Sequence, residues 1–256
     1  MENFSLVLSG GGALGIAHLG VIKDLEDNGF KPNELIGTSM GGIICACLSI
    51  GMNEKEIYLK IKEFSNIFNW IKFSFKGNSI INNSKIDNLL SSIFLDRKMK
   101  DTIIPLKLIA TNLQSGDKKV FSSKDDVYIK DALLCTMAIP GIFDEHIVNN
   151  QTYVDGFLCE NLPISESIYP NILAVDVLGK NSFENTIPNN FFKTSNVLDM
   201  FEKSIRLMIY NQSKTHIEYS NKNIILLEPN TKLFKTYQFH KHKDIRNLGF
   251  GLLENN

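Results

Sequence analysis

Glu34-Leu-Ile-Gly-Thr-Ser-Met-Gly-Gly-Ile-Ile-Cys-Ala-Cys-Leu-Ser-Ile-Gly51 is the stretch whose reading decides the fold. Glu34 to Ile36 has the make-up of a short strand, and Met40 to Ile50 is apolar and rich in small residues, as a buried helix is. Gly51 stops that helix. Between strand and helix lies Gly37-Thr38-Ser39-Met40-Gly41, a match to G-x-S-x-G. In this strand–turn–helix context the pattern predicts a nucleophile elbow. Gly37 and Gly41 let the backbone take a tight, strained turn that lifts the Ser39 hydroxyl above the sheet. The helix that follows aims the positive end of its dipole at whatever charge develops there.

The same order of elements precedes this stretch. Phe4 to Leu8 reads as a buried strand, Gly10-Gly11-Gly12 as a loop, and Ala13 to Asn28 as a helix with Ile16, Leu19, Ile22 and Leu25 on one side and Gly29 at its C-cap. Strands alternating with helices predict an α/β fold, a three-layer α/β/α arrangement with a mostly parallel central sheet. Further helices are expected over 53–64, 85–94, 128–137 and 197–219, and strands over 106–111, 119–121, 152–154, 172–177 and 224–227. The polar stretch Lys180 to Asn190, with Pro188, reads as a surface loop.

The chain has 256 residues, 43% of them apolar and 21% charged, which fits one α/β domain over 1–256 with a sizeable core. The net charge of −1 gives no reason to expect a nucleic-acid partner. Cys45, Cys47, Cys135 and Cys159 form no C-x-x-C pair and read as free thiols of a reducing compartment. The start MENFSLVLSGGG lacks the features of a secretory leader, and no apolar run is long enough to span a bilayer, so a cytoplasmic location is expected, with leaderless export open. Two segments stand apart. The aromatic stretch Phe64 to Phe75 could form a lid insertion near 64–80 or pack on the core as an ordinary amphipathic helix. The C-terminal tail 230–256 carries Lys232, Lys235, Lys241, Lys243 and Arg246, a solvated basic run or a contact for an anionic membrane surface.

Gly10-Gly11-Gly12-Ala13-Leu14-Gly15 follows the first strand and opens the first helix. Such a loop leaves backbone N–H groups bare for an anion. It formally matches a dinucleotide fingerprint, but that reading needs an acidic residue at the end of the second strand, where Gly37-Thr38-Ser39 stands. An oxyanion hole is the other use. Tyr153-Val154-Asp155-Gly156 is an apolar strand ending in Asp-Gly, by itself only a turn signal.

Taken together, GGGALG at 10–15, GTSMG at 37–41 and Asp-Gly at 155–156 resemble the patatin-like phospholipases, acyl hydrolases related to transacylases and lysophospholipases. Cys135-Thr-Met-Ala-Ile-Pro-Gly-Ile-Phe143 and Asn161-Leu-Pro163 support the likeness, which covers roughly the first two thirds of the chain. The resemblance implies a Ser39–Asp155 dyad with no histidine, an oxyanion hole at Gly10, Gly11, Gly12 and Gly15, and no metal or cofactor. His18, His146, His216, His240 and His242 are the alternative bases, of which a late one would suit a Ser-Asp-His order. The implied activity is hydrolysis of phospholipid or other acyl esters through an acyl-enzyme. Acyl transfer on the same fold, or a binding role that keeps only the fold, are the alternatives. Two departures stand out. Leu14 replaces the Arg or Lys many members carry, and Phe157 replaces the usual Gly or Ala after Asp-Gly. They bear on a basic contact near the loop and on the shape of the turn.

Overall fold

The computed structural model describes residues 3–68, 83–183 and 194–254. Its first elements are β1 (Phe4–Leu8), a 3-10 turn (Gly12–Ala17), α1 (His18–Asp27), β2 (Glu34–Thr38) and α2 (Ser39–Ser49). Next come α3 (Glu54–Phe68), α4 (Asn83–Phe94), β3 (Leu106–Asn112), β4 (Lys118–Phe121), α5 (Ile129–Thr136), β5 (His146–Val148) and β6 (Gln151–Asp155). The chain continues through β7 (Asn171–Val175), α6 (Thr194–Glu218), β8 (Asn223–Leu227) and α7 (His242–Asn247). Among the described residues the strands form one sheet, in the order β5-β6-β3-β2-β1-β7-β8, with β4 also on β3. The run β3-β2-β1-β7-β8 is parallel, while β4, β5 and β6 pair antiparallel.

The side-chain period of 2 along the strands makes the three layers. Leu6, Leu8, Leu35, Leu108, Leu173 and Val175 point to one face and join a cluster with residues of α1 to α5. Val7, Ile36, Ile109, Ile172 and Ala174 point to the other, under Leu162, Ile164 and Ile217 of α6. Each such fully buried aliphatic side chain contributes about 1.5–3 kcal/mol.

The register on β3 has a direct consequence for the site. Ile109 pairs with Val120 of β4 and with Thr38 of β2. Ala110 pairs with Lys119 of β4 and with Asp155 of β6. A strand has two edges, so β4 occupies one and β2 and β6 share the other. They run toward each other along it and meet at Ile109–Ala110. The last residue of β2 and the last residue of β6 are thereby brought together.

Two sequence expectations differ from the structure. The helix expected over 13–28 is a 3-10 turn followed by α1, because the chain rises out of Gly12 in a left-handed conformation (φ +54) and Gly15 is pressed against Met40. The segment expected as a solvated basic tail is folded onto the body: Phe239 and Ile245 are buried, Arg246 makes a two-pronged pair with buried Glu54 (2.6 and 2.7 Å), and Lys235 pairs with Glu202 (3.4 Å). Of the expected lid segment, Phe64 is a fully buried core residue, and residues 69–82 lie outside the described residues.

Candidate active site

Ser39 begins α2 with φ +53, a left-handed conformation that costs a non-glycine residue about 1–3 kcal/mol. Its surroundings hold it there. The Ser39 N–H donates to the Thr136 hydroxyl (3.0 Å), which itself donates to the Ile109 carbonyl. Gly37 presses on the first turn of α2, where an added Cβ would lie 2.6 Å from Gly42 N. Gly41 lets that turn sit against the Leu8 and Ser9 carbonyls. The Ser39 side chain is left 6% exposed at the N-terminal end of the helix dipole.

Asp155 comes to the same place along β3 and is fully buried. Its backbone is fixed on both sides: its N–H donates to the Ala138 carbonyl (2.9 Å) and its carbonyl accepts from the Thr111 hydroxyl (3.0 Å). Gly156 presses so closely on the Ile109 carbonyl that no Cβ fits. Carboxylate Oδ1 accepts from the Phe157 N–H at 3.0 Å. Oδ2 is buried without a hydrogen bond, and the Ser39 hydroxyl is a neighbour of the carboxyl. Burial pushes the carboxyl up to about 7, against the opposing pull of the Ser39 hydroxyl and the Phe157 N–H. A buried acceptor poised near neutrality next to a serine can take up a proton.

The four glycines of the loop divide by role. Gly10 N–H is already donated to the Asn161 carbonyl (3.2 Å), and an added Cβ there would meet Asn161 Oδ1 at 2.6 Å and Ser39 Cβ at 3.1 Å. Gly15 is buried beside Met40, where its lack of a side chain makes room. The Gly11 and Gly12 N–H groups meet no acceptor among the described residues, which leaves them available to an anion. Leu14 is fully buried in the core, so its position points inward rather than to a ligand. Phe157 packs half-buried on the core within an ordered 3-10 turn, Gly156–Leu158, and supplies the N–H to Asp155.

The histidines are occupied elsewhere. His18 donates through Nε2 to the Ser9 carbonyl (2.9 Å), and burial lowers its pKa to about 4. His146 meets Asp131 (3.2 Å), His216 meets Glu160 (3.3 Å), and His242 meets the Tyr58 hydroxyl (2.9 Å). His240 is exposed in a 3-10 turn. Among the described residues no group of three His, Cys, Asp or Glu side chains is arranged to hold a metal, and no helix is long and apolar enough to cross a membrane. Cys45, Cys47 and Cys135 are buried thiols, and burial pushes Cys47 up to about 12.

Thr136 and Gln212 are the polar side chains around the site that the sequence did not single out. Thr136 lay inside the Cys135–Phe143 block. Gln212 gave no signal, since a polar residue on an amphipathic helix is ordinary.

A family model for patatin-like phospholipases matches residues 6–168. Among curated proteins, the chain is 24% identical to lysophospholipase NTE1 of Kluyveromyces lactis, over 96% of this chain and 18% of that protein. It is 26% identical to the NTE1 lysophospholipase of Yarrowia lipolytica, over 97% of this chain and 19% of that protein. The chain thus spans under a fifth of the length of these relatives. Among solved structures, VipD from Legionella pneumophila superposes with a TM-score of 0.56 at 17% identity, over 100% of this chain and 67% of that one, a likeness of fold.

Proposed function

Because the chain belongs to the patatin-like phospholipase family, we propose that it is a lipid acyl hydrolase in which Ser39 is the nucleophile and Asp155 its base. The observation that carries this is the meeting of a strained, helix-capping serine with a buried carboxyl whose pKa is raised to about 7. Above that pH Asp155 is charged and takes the Ser39 proton while Oγ attacks the ester carbonyl. The oxyanion that forms is received by the Gly11 and Gly12 N–H groups and the positive end of α2. A donor of this kind is worth about 3–4 kcal/mol in comparable sites. Asp155 returns its proton to the departing alcohol, leaving an acyl-Ser39 ester. Water then attacks that ester with Asp155 again as base, the carbon–Oγ bond breaks, and the fatty acid leaves.

A serine-directed fluorophosphonate should label the folded protein once, on Ser39, and Ser39→Ala should abolish both labelling and hydrolysis of a p-nitrophenyl acyl ester. Mass spectrometry that finds the label on another serine would overturn the assignment.

The substrate class follows the family: phospholipid or another acyl ester, met in the cytoplasm at a membrane surface without insertion. With Arg246 and Lys235 held in ion pairs, the cationic contact is assigned to an open cleft of about 550 Å³ whose lining includes Lys180, Lys232, Phe183 and Leu207. Co-sedimentation with anionic vesicles should weaken between 0.01 and 1 M salt, as screening shortens from about 30 to 3 Å. Binding that ignores salt, or prefers neutral vesicles, would remove this part of the proposal.

A further inference from the structure

Gln212 lies on α6, beyond the residues that the family model matches. Its carboxamide binds three backbone groups of the segment that follows Asp155. Oε1 accepts the Asn161 N–H at 2.8 Å, and Nε2 donates to the Cys159 carbonyl at 2.9 Å and the Phe157 carbonyl at 3.5 Å. Both ends of that segment reach the site. Phe157 N–H binds Asp155 Oδ1. Asn161 grips Gly10 from both sides: its carbonyl accepts the Gly10 N–H at 3.2 Å, and its Nδ2 donates to the Gly10 carbonyl at 3.4 Å. One side chain therefore links the turn of Asp155 to the loop of Gly11 and Gly12.

We infer that Gln212 is a positioning residue, which fixes the Asp155 turn and the glycine loop relative to one another through Asn161; this rests on the reading of Ser39 and Asp155 as the reacting pair.

The helix and the segment each have other anchors, so the link is not what keeps either folded. Arg206 of α6 donates to the Ser182 carbonyl (3.2 Å) and the Phe234 carbonyl (3.0 Å), and Ile209 is buried. Within the segment, the Cys159 and Glu160 N–H groups both close on the Gly156 carbonyl (3.0 and 2.9 Å), and the Glu160 carboxylate binds Lys118 and the Ser165 hydroxyl (both 2.6 Å). Removing the Gln212 carboxamide should shift the two loops by a fraction of an ångström while leaving the fold intact. Small misplacements of reacting groups cost rate steeply.

The test uses the full chain carrying Gln212→Leu, or Gln212→Glu, with a p-nitrophenyl acyl ester. Gln212→Glu would keep the shape and the acceptor for Asn161 but would turn an acceptor toward the Cys159 and Phe157 carbonyls. Both variants should lose on the order of 10- to 100-fold in kcat with KM within about twofold. The inflection in the pH dependence of kcat/KM should move upward, because the Phe157 N–H that favours the charged Asp155 is loosened. A folded variant with wild-type kcat and an unmoved inflection would overturn the inference. So would failure of both variants to fold, which would make Gln212 a residue of the fold alone. Wild-type protein lacking Ser39-dependent hydrolysis would be a different result: it would remove the underlying reading, and the positioning role with it.

Discussion

Two serine–aspartate pairs stand side by side at the carboxyl end of the sheet, and the proposed function uses only one of them. Ser39 follows β2 and meets Asp155 at the end of β6; Ser9 follows β1 and meets Asp176, which follows β7. Both aspartates are buried, and burial raises both, Asp155 to about 7 and Asp176 to about 6. The partners differ. Ser9 is fully buried and tied at every polar group: its N–H to the Val175 carbonyl (3.1 Å), its carbonyl to His18 (2.9 Å), and its hydroxyl to the Val177 N–H (3.0 Å). Asp176 accepts the Leu178 N–H (3.0 Å), and its own N–H is donated to the Leu227 carbonyl (2.9 Å). Ser39 instead sits in a strained backbone at a helix start, and Asp155 keeps one oxygen without a full hydrogen bond. A raised pKa is thus common to both pairs. The left-handed backbone of Ser39 at the start of a helix, which Ser9 lacks, is what sets the proposed reacting pair apart.

The comparison is broken most directly by amide replacements. Asp155→Asn should lower kcat for an acyl ester by about 10³-fold or more, with the fold retained. Asp176→Asn and Ser9→Ala should stay within about tenfold of wild type, since they touch only the base of the glycine loop. Equal losses in Asp155→Asn and Asp176→Asn would mean that the two pairs act as one unit.

Stability gives a smaller and sharper contrast. A carboxyl raised by burial keeps its proton in the folded state while the unfolded chain ionises near 3.8. The stability it confers is complete below that pH and is lost as pH rises toward about 7 for Asp155 and about 6 for Asp176. Asp155→Asn has no charge to bury. Its melting temperature should therefore gain on wild type between pH 4 and pH 7 and level off above, with a limit of a few kcal/mol. For Asp176→Asn the gain should level off nearer pH 6. Parallel melting curves for Asp155→Asn and wild type across this range would show that Asp155 is not held near neutrality.

Much of this was legible in the chain. The strand–turn–helix around Ser39, the glycine loop and the alternation that makes three layers all depend on local pattern, which a sequence carries openly. Asp155 was legible only through its resemblance to a family motif, because Asp-Gly alone marks a turn. Three things could not be read. The sharing of one β3 edge by β2 and β6 is a matter of register between distant segments. Gln212 acts through backbone carbonyls, which leave no trace in side-chain pattern. The basic tail proved to be folded because Phe239, Ile245 and the Glu54–Arg246 pair anchor it, and a charge run conceals such anchors.

The shared edge of β3 also bears on how the molecule comes into being. Neither β2 nor β6 carries the site alone, and the residues that complete it belong to segments far apart in the chain, with high contact order. Early helices and the β1–β2 pairing can form while Asp155 is still far from Ser39. On refolding from denaturant, recovery of catalytic turnover should trail recovery of helical signal by the time β6 takes to dock. Asp155 comes to its place beside Ser39 only once β6 has found Ala110.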